Sequence, residues 1–326
     1  MRLLKLVPDD TNIDFLRWRK VASTMSFLLV VLSIALVAVR GLNLGVDFVG
    51  GQSVRVDFVG TMPPIEEIRS EVDKIGLGEP TIQQFGSDSA VSIRTGLPEG
   101  DKESADRAGE QLVAGIHKAF PNAKTGAVET VSGKVSDELL RTGAISLALA
   151  VLGISIYIWL RFEWQFGVGA LGRLFHEVSL TFGFFAVTQL QFDLNSVAAL
   201  LTIVGYSLND TIVVYDRIRE NLKKYRKMEI IPLLNLSINE TLSRTVMTSV
   251  AMFLALGVLL VFGPDVIFGF TAAMLLGVFV GTYSSVLMST PVLVWLKVGP
   301  HSFVPRTSAA TSGAERVARS DDGAVV

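Results

Sequence analysis

Asp210 is the residue whose surroundings point most directly to chemistry. It lies inside SVAALLTIVGYSLNDTIVVYDRIREN, residues 196–221. The first part of this stretch is apolar enough to sit in lipid. Yet Asp210 is flanked by Ser207, Asn209 and Thr211, and the stretch then runs into Arg217 and Arg219. An ionisable group at membrane depth costs roughly 2.5–3.5 kcal/mol on insertion scales, so it persists where it has a partner or a task. Desolvation raises a carboxyl's pKa, so an acid in such a place can be neutral and exchange a proton. Two readings stand side by side: a proton-carrying acid, or a helix end whose acid only pairs with a nearby base.

Arg244, in NETLSRTVMTSV, sits near the start of the next apolar segment. Asp210 is six residues short of its own segment's end, which at 1.5 Å per residue is roughly 9 Å deep, and Arg244 has a comparable depth. A close Arg244 would lower the pKa of Asp210 and release it when apart. The alternative is a static pair that locks two helices, or an arginine reaching for water from a helix end. A second cluster holds Arg173, His176 and Glu177. Arg173 and Glu177 are four apart on one helix face and can neutralise each other. His176 is either a proton relay near neutral pH or a hydrogen-bonded packing residue.

The rest of the chain must place these groups. It has 326 residues, 50% hydrophobic and 18% charged. Its mean hydropathy of +0.48 implies several membrane spans. A net charge of −2 gives no footprint for nucleic acid. No cysteine is present, which excludes disulfides, thiolate nucleophiles and cysteine-based metal sites. The three histidines, His117, His176 and His301, are far apart, and no HExxH or Walker motif occurs. No metal or cofactor is expected, and an enzyme is the least supported class.

Residues 1–20 form a short basic start, and Val21–Val39 is 19 residues without a charge. That is long for a signal-peptide core and no A-x-A site follows, so it reads as a first transmembrane helix. Residues 40–141 are the one long polar region. Alternation and helical spacing predict a strand over 52–59, a helix over 63–75, strands over 80–85 and 90–95, a helix over 103–120 and a strand over 123–131. This βαββαβ order is the split-βαβ, ferredoxin-like arrangement. The fold class expected is thus a polytopic α-helical membrane protein with one α+β domain between its first and second spans.

Five more apolar segments are expected within residues 142–298, over 143–160, 166–190, 196–216, 241–262 and 267–298. The last carries small residues every four positions, Ala273, Gly277, Gly281, Ser285 and Ser289, a stripe for close helix approach. Pro291 then kinks or ends it. Residues 299–326 read as a disordered cytoplasmic tail. The loop between the fourth and fifth spans holds Arg217, Arg219, Lys223, Lys224, Arg226 and Lys227, whereas QFDLN and GPDV hold no base. With six spans every basic segment falls on one side, which predicts both termini in the cytoplasm and residues 40–141 outside.

Three motifs, RGLNLGVDFVGG, VGYSLNDTIVVYDRIREN and INETLSRTVMTS, together resemble the SecF family of protein-translocase membrane subunits. The resemblance runs from Arg17 to about Val298. It implies half of an RND-type bundle in a bacterial inner membrane. It further implies a SecD partner, the Sec translocon channel and exported precursor proteins as company, and use of the proton motive force late in export. The family's intramembrane acid falls on Asp210 and its arginine on Arg244. Where the family often has His-Asp, this chain has His176-Glu177, a longer carboxylate arm. The glycine-rich Gly41, Gly45, Asp47, Gly50 and Gly51 are the expected hinge that joins the outer domain to the membrane. The competing classes are an RND-like small-molecule exporter subunit and a non-transporting assembly scaffold.

Overall fold

The computed structural model describes residues 7–8, 11–84, 89–97 and 102–299. The expected disordered tail and most of the turn expected at 86–89 lie outside these residues. A 3-10 turn, Phe15–Trp18, leads into α1 (Arg19–Arg40), and a one-turn α2 (Val46–Val49) follows. The polar region holds β1 (Gly51–Phe58), α3 (Ile65–Asp73), β2 (Thr81–Gln84), β3 (Ala90–Thr95), α4 (Lys102–Ala119) and β4 (Ala123–Val131). Then come α5 (Gly133–Arg161), α6 (Trp164–Thr188), α7 (Leu194–Lys224), α8 (Ile230–Phe262), α9 (Phe268–Leu287) and α10 (Ser289–Trp295).

The sheet is antiparallel with order β2-β3-β1-β4, so β1 and β3 are central. Alternation decides its faces. Val54, Val56, Val91 and Ile93 turn to one side and bury themselves against Ile68 and Val72 of α3 and Leu112 and Ile116 of α4. The opposite face carries Ser53, Gln83, Ser92 and Arg94 and is polar. It meets the bundle end through hydrogen bonds. Arg94 donates to the Leu44 carbonyl, the Asn43 amide donates to the Gln83 side chain, and Gln83 donates to the Gln189 carbonyl.

Five helical segments are long and apolar enough to cross a membrane: Phe15–Arg40, Gly133–Arg161, Leu194–Lys224, Ile230–Phe262 and Phe268–Trp295. The segment over 166–190, read as the third span, is the helix α6 of 25 residues but is not among them. Arg173, His176 and Glu177 lower its hydropathy, and all three are buried in the bundle. Several helices outrun the apolar runs that signalled them. α8 begins at Ile230 rather than near Thr241, because IIPLLNLSINE is itself amphipathic and its Pro232 sits in the first turn, where a missing N–H does least harm. Much of the basic loop is therefore helix: Arg217 to Lys224 end α7. The last expected span is broken at Met288 into α9 and α10, three residues before Pro291.

The N-terminal segment docks on the extended part of α8. The Ile13 amide donates to Asn239 Oδ1 at 2.9 Å, and Asn239 Nδ2 returns a bond to the Ile13 carbonyl at 2.9 Å. The Leu16 amide donates to Asn235 Oδ1 at 3.1 Å, and Leu16 is buried in the core below. Asn235 and Asn239 are one turn apart, so a single helix face holds the backbone leading into and through the 3-10 turn.

Candidate proton-coupling site

α7 is the helix that carries the site, and its start is fixed by a capping box. Asp193 accepts from the Ser196 amide at 2.8 Å while the Asp193 amide donates to Ser196 Oγ at 3.3 Å. One face of α7 then packs on α9. Gly277 is what allows the approach, since a Cβ there would meet Ile203 Cδ1 at 2.6 Å. At Gly281 a Cβ would lie 3.3 Å from Ser207 Oγ and 3.6 Å from an Arg173 guanidinium nitrogen. Ser285 donates to the Thr282 carbonyl at 2.9 Å. The small-residue stripe thus brings α9 against α7 beside the buried charges.

Asp210 faces α8 from the next part of α7. Its Oδ1 accepts a hydrogen bond from Thr245 Oγ1 at 2.6 Å, and its Oδ2 is buried without a partner. Arg244 is exposed, and no ion pair joins it to Asp210 among the described residues. The expected Asp210–Arg244 pair is therefore not formed in this conformation. The physical reason is helix geometry: successive residues of α8 point about 100° apart, so a helix that aims Thr245 at α7 turns Arg244 away. One turn further along α8, Ser249 and Thr282 of α9 share a 2.7 Å hydrogen bond.

The α6 cluster is enclosed in the bundle. Arg173 Nε lies 3.0 Å from Glu177 Oε1, and the two side chains are 1% and 0% exposed. Arg173 also donates to Ser284 Oγ at 2.8 Å, to the Ser207 carbonyl at 2.8 Å and to the Gly281 carbonyl at 2.7 Å. Ser284 in turn donates to Glu177 Oε1 at 2.5 Å. One guanidinium therefore ties α6 to α7 and α9, using the fork geometry that lysine lacks. Glu177 Oε2 is buried without a partner. His176 Nε2 meets the Tyr283 hydroxyl at 3.0 Å, and its Nδ1 is buried and unpartnered. Thr245, Ser284, Tyr283 and the Ser207 carbonyl escaped the sequence reading. Hydroxyls and backbone oxygens carry no sequence signal until a fold sets them opposite a charge.

The glycine-rich stretch is held at both ends and in the middle. Gly41, with φ +72°, ends α1, and Gly50 and Gly51, with φ +76° and +112°, pass the chain into β1. Only glycine adopts such angles at no steric cost. A Cβ on Gly51 would also meet the Thr95 carbonyl oxygen at 2.6 Å. Between these points the Gly45 amide donates to the Phe192 carbonyl at 2.8 Å, and the Phe192 amide donates to the Asn43 carbonyl at 2.7 Å. Asp47 accepts from the Leu194 amide at 3.0 Å, at the start of α7. The linker is thus bonded to the helix that carries Asp210.

Asp47, Glu129 of β4 and Asp193 form an acidic group at this junction. The Glu129 carboxyl is raised above its ordinary range by desolvation first, then by Asp47 and Asp193. Asp193 is raised chiefly by burial, with Asp47 adding to it and the Ser196 bonds opposing it.

Comparison with known proteins matches this architecture. Residues 112–299 match the family described as protein export membrane protein SecD/SecF, C-terminal. Residues 35–61 match the SecD/SecF GG motif. The chain is 45% identical over 305 residues to the protein translocase subunit SecF of Rhodobacter capsulatus, covering 90% of this chain and 91% of that protein. It is 40% identical over 291 residues to the SecF subunit of Rickettsia rickettsii, covering 89% of this chain and 94% of that protein. Among solved structures it superposes on SecDF, a translocon-associated membrane protein from Thermus thermophilus, with TM-score 0.79 and 33% identity, over 89% of this chain. SecDF in its super-membrane-facing form gives TM-score 0.63 and 29% identity over 98% of this chain. The chain spans only 39% and 42% of those two SecDF chains. With most of its length matched by SecF subunits and its fold by one part of SecDF, the chain belongs to the SecF family of protein translocase subunits.

Proposed function

We propose that this chain works with a SecD partner beside the Sec translocon and uses the proton motive force to assist late steps of protein export. The observation that carries the reading is the Asp210 carboxylate, set at the α7–α8 contact with one oxygen held by Thr245 and the other buried and free. The free oxygen is where a proton binds. Protonation removes one charge from that contact, and one elementary charge moved across the membrane is worth about 2.3 kcal/mol per 100 mV. Such a free energy biases a two-state bundle. Arg244 acts in the other state, approaching Asp210 by a rotation of α8 and driving the proton off.

The bundle in this reading has six spans, with α6 as the third. Its charges are neutralised internally, so it crosses the membrane inside the ring formed by α1, α7, α9 and α10. Both termini are cytoplasmic, and residues 40–141 form the external domain. Gly41 and Gly50–Gly51 are its hinge points. The bonds from Asn43, Gly45 and Asp47 to residues 189–194 make α7 the lever that moves it. Gradient-driven precursor translocation by Asp210→Asn tests the proposal. Loss of the gradient response with normal protein levels supports it, and an unaltered response overturns it in favour of a scaffold.

A further inference from the structure

The end of the bundle opposite the sheet domain carries a cleft that the export reading does not use. It lies between the end of α5 and the end of α7, has a volume of about 520 Å³, and is lined by Arg161, Asp216, Arg219, Glu220, Lys223 and Lys224. A second open hollow of about 560 Å³ shares Lys224 and adds Tyr225, Arg226, Lys227 and Met228.

The charges in the cleft are unevenly spent. Asp216 is held by Arg161 at 2.8 Å, and Glu220 is held by Arg217 at 2.7 Å. Arg219 reaches Glu163 with one terminal nitrogen at 3.4 Å, while its Nε is buried without a partner. Lys223 and Lys224 are exposed and have no carboxylate within ion-pair distance among the described residues. The lining thus ends in two exposed ammonium groups, Lys224 lying over the Tyr225 ring at 4.9 Å, beside the Arg219 guanidinium.

The setting fixes what such a site meets. Trp159, Leu160 and Trp164 flank Arg161 in the sequence and are 64%, 83% and 52% exposed. Exposed indole rings next to apolar and basic residues mark the height at which a helix leaves the hydrocarbon for the headgroups. At that height the abundant anion is a lipid phosphodiester, and basic pockets between helix ends recognise it. We propose that this cleft binds the phosphodiester headgroup of an anionic phospholipid. Lys223, Lys224 and the Arg219 guanidinium supply the charge. The acyl chains lie along the apolar face of α5 above Trp159.

The test uses the purified full chain in detergent and native mass spectrometry, with equal amounts of dioleoyl phosphatidylglycerol and dioleoyl phosphatidylcholine as probes. Wild type retains phosphatidylglycerol preferentially. Lys223→Gln/Lys224→Gln retains it roughly tenfold less, each surface lysine adding appreciably to attraction for anionic lipid. Lys223→Arg/Lys224→Arg keeps the preference, and Lys118→Gln/Lys124→Gln, on the sheet domain, leaves it unchanged. Equal retention of the two lipids by wild type overturns the site and leaves the cleft as a surface for an acidic protein segment. So does an undiminished preference in the Gln double variant with the same thermal midpoint as wild type. Displacement of the lipid by millimolar inorganic phosphate overturns the lipid assignment and makes the cleft a free-anion site.

Discussion

The Asp210 carboxylate on α7 accepts a 2.6 Å hydrogen bond from Thr245 on α8, while Arg244, one residue earlier on the same helix, is exposed. The acid is therefore held by a hydroxyl and not by a cation. Asn at 210 can still accept from Thr245 but cannot titrate. Asp210→Asn is expected to accumulate as wild type does and to lose gradient-driven export. Asp210→Glu keeps part of it, and Arg244→Ala loses more than Arg244→Lys without loss of stability. Precursor translocation into vesicles, with and without an imposed proton gradient at matched protein levels, measures this. A fully gradient-responsive Asp210→Asn variant would falsify proton carriage at this residue.

The Arg173–Glu177 pair makes the opposite prediction. It is fully buried, so removing one partner strands the other, a loss of roughly 3–5 kcal/mol. Glu177→Gln is expected to lower abundance and thermal midpoint while each surviving molecule keeps its gradient response. Arg173→Met/Glu177→Leu should be less damaging than the two single losses added, because it leaves no stranded charge. Thermal unfolding of wild type, Arg173→Met, Glu177→Leu and the double variant in one detergent gives the comparison, and simple additivity would refute a coupled pair.

Close approach of α7 and α9 depends on Gly277. A methyl there meets Ile203, so Gly277→Ala is expected to destabilise by about 1–3 kcal/mol. Gly205, on an exposed part of α7 with open space around it, is the control. Gly205→Ala should be neutral or stabilise by up to about 1 kcal/mol, since alanine is the better helix former. Equal midpoints for both variants would mean that the helices pack less tightly than the Ile203 contact requires.

The acidic junction predicts a pH dependence. Glu129 and Asp193 are raised above their ordinary values, so the folded junction binds more protons than the unfolded chain. Its stabilisation is therefore present at low pH and is lost as pH rises from the ordinary carboxylate range through the raised values. Amide exchange at residues 43–47 and 189–194 should be slower at about pH 5 than at about pH 8 after correction for intrinsic rates. Glu129→Gln should flatten the difference. A junction that loosens on acidification contradicts the sign of both shifts.

The proposed orientation rests on the basic end of α7. A reporter active only outside the cell is expected to be active when fused after Lys102 and silent after Lys224. The reverse pattern removes the proposed topology.

Local signals determined much of this protein before any packing was known. The short runs Ala90–Thr95 and Ala123–Val131, read as strands, fall on the observed ends of β3 and β4, and in β3 Val91 and Ile93 turn to the face that covers α3 and α4. Uncharged runs marked the apolar spans, and glycines marked the turns into β1. Asp210 stood out because a charge within an apolar run is costly wherever it lies. The tertiary structure decided who meets whom. It gave Asp210 to Thr245 rather than to Arg244, since the rotation of α8 about its own axis follows from packing and not from depth. It also turned Arg173 from half of a local pair into a tie among three helices, because its other acceptors are a serine hydroxyl and two carbonyls that no sequence pattern announces. The helix ends were hidden for a related reason. Residues 230–240 are too polar to read as a membrane span, and become helix by laying one face on the core while Asn235 and Asn239 hold the N-terminal backbone.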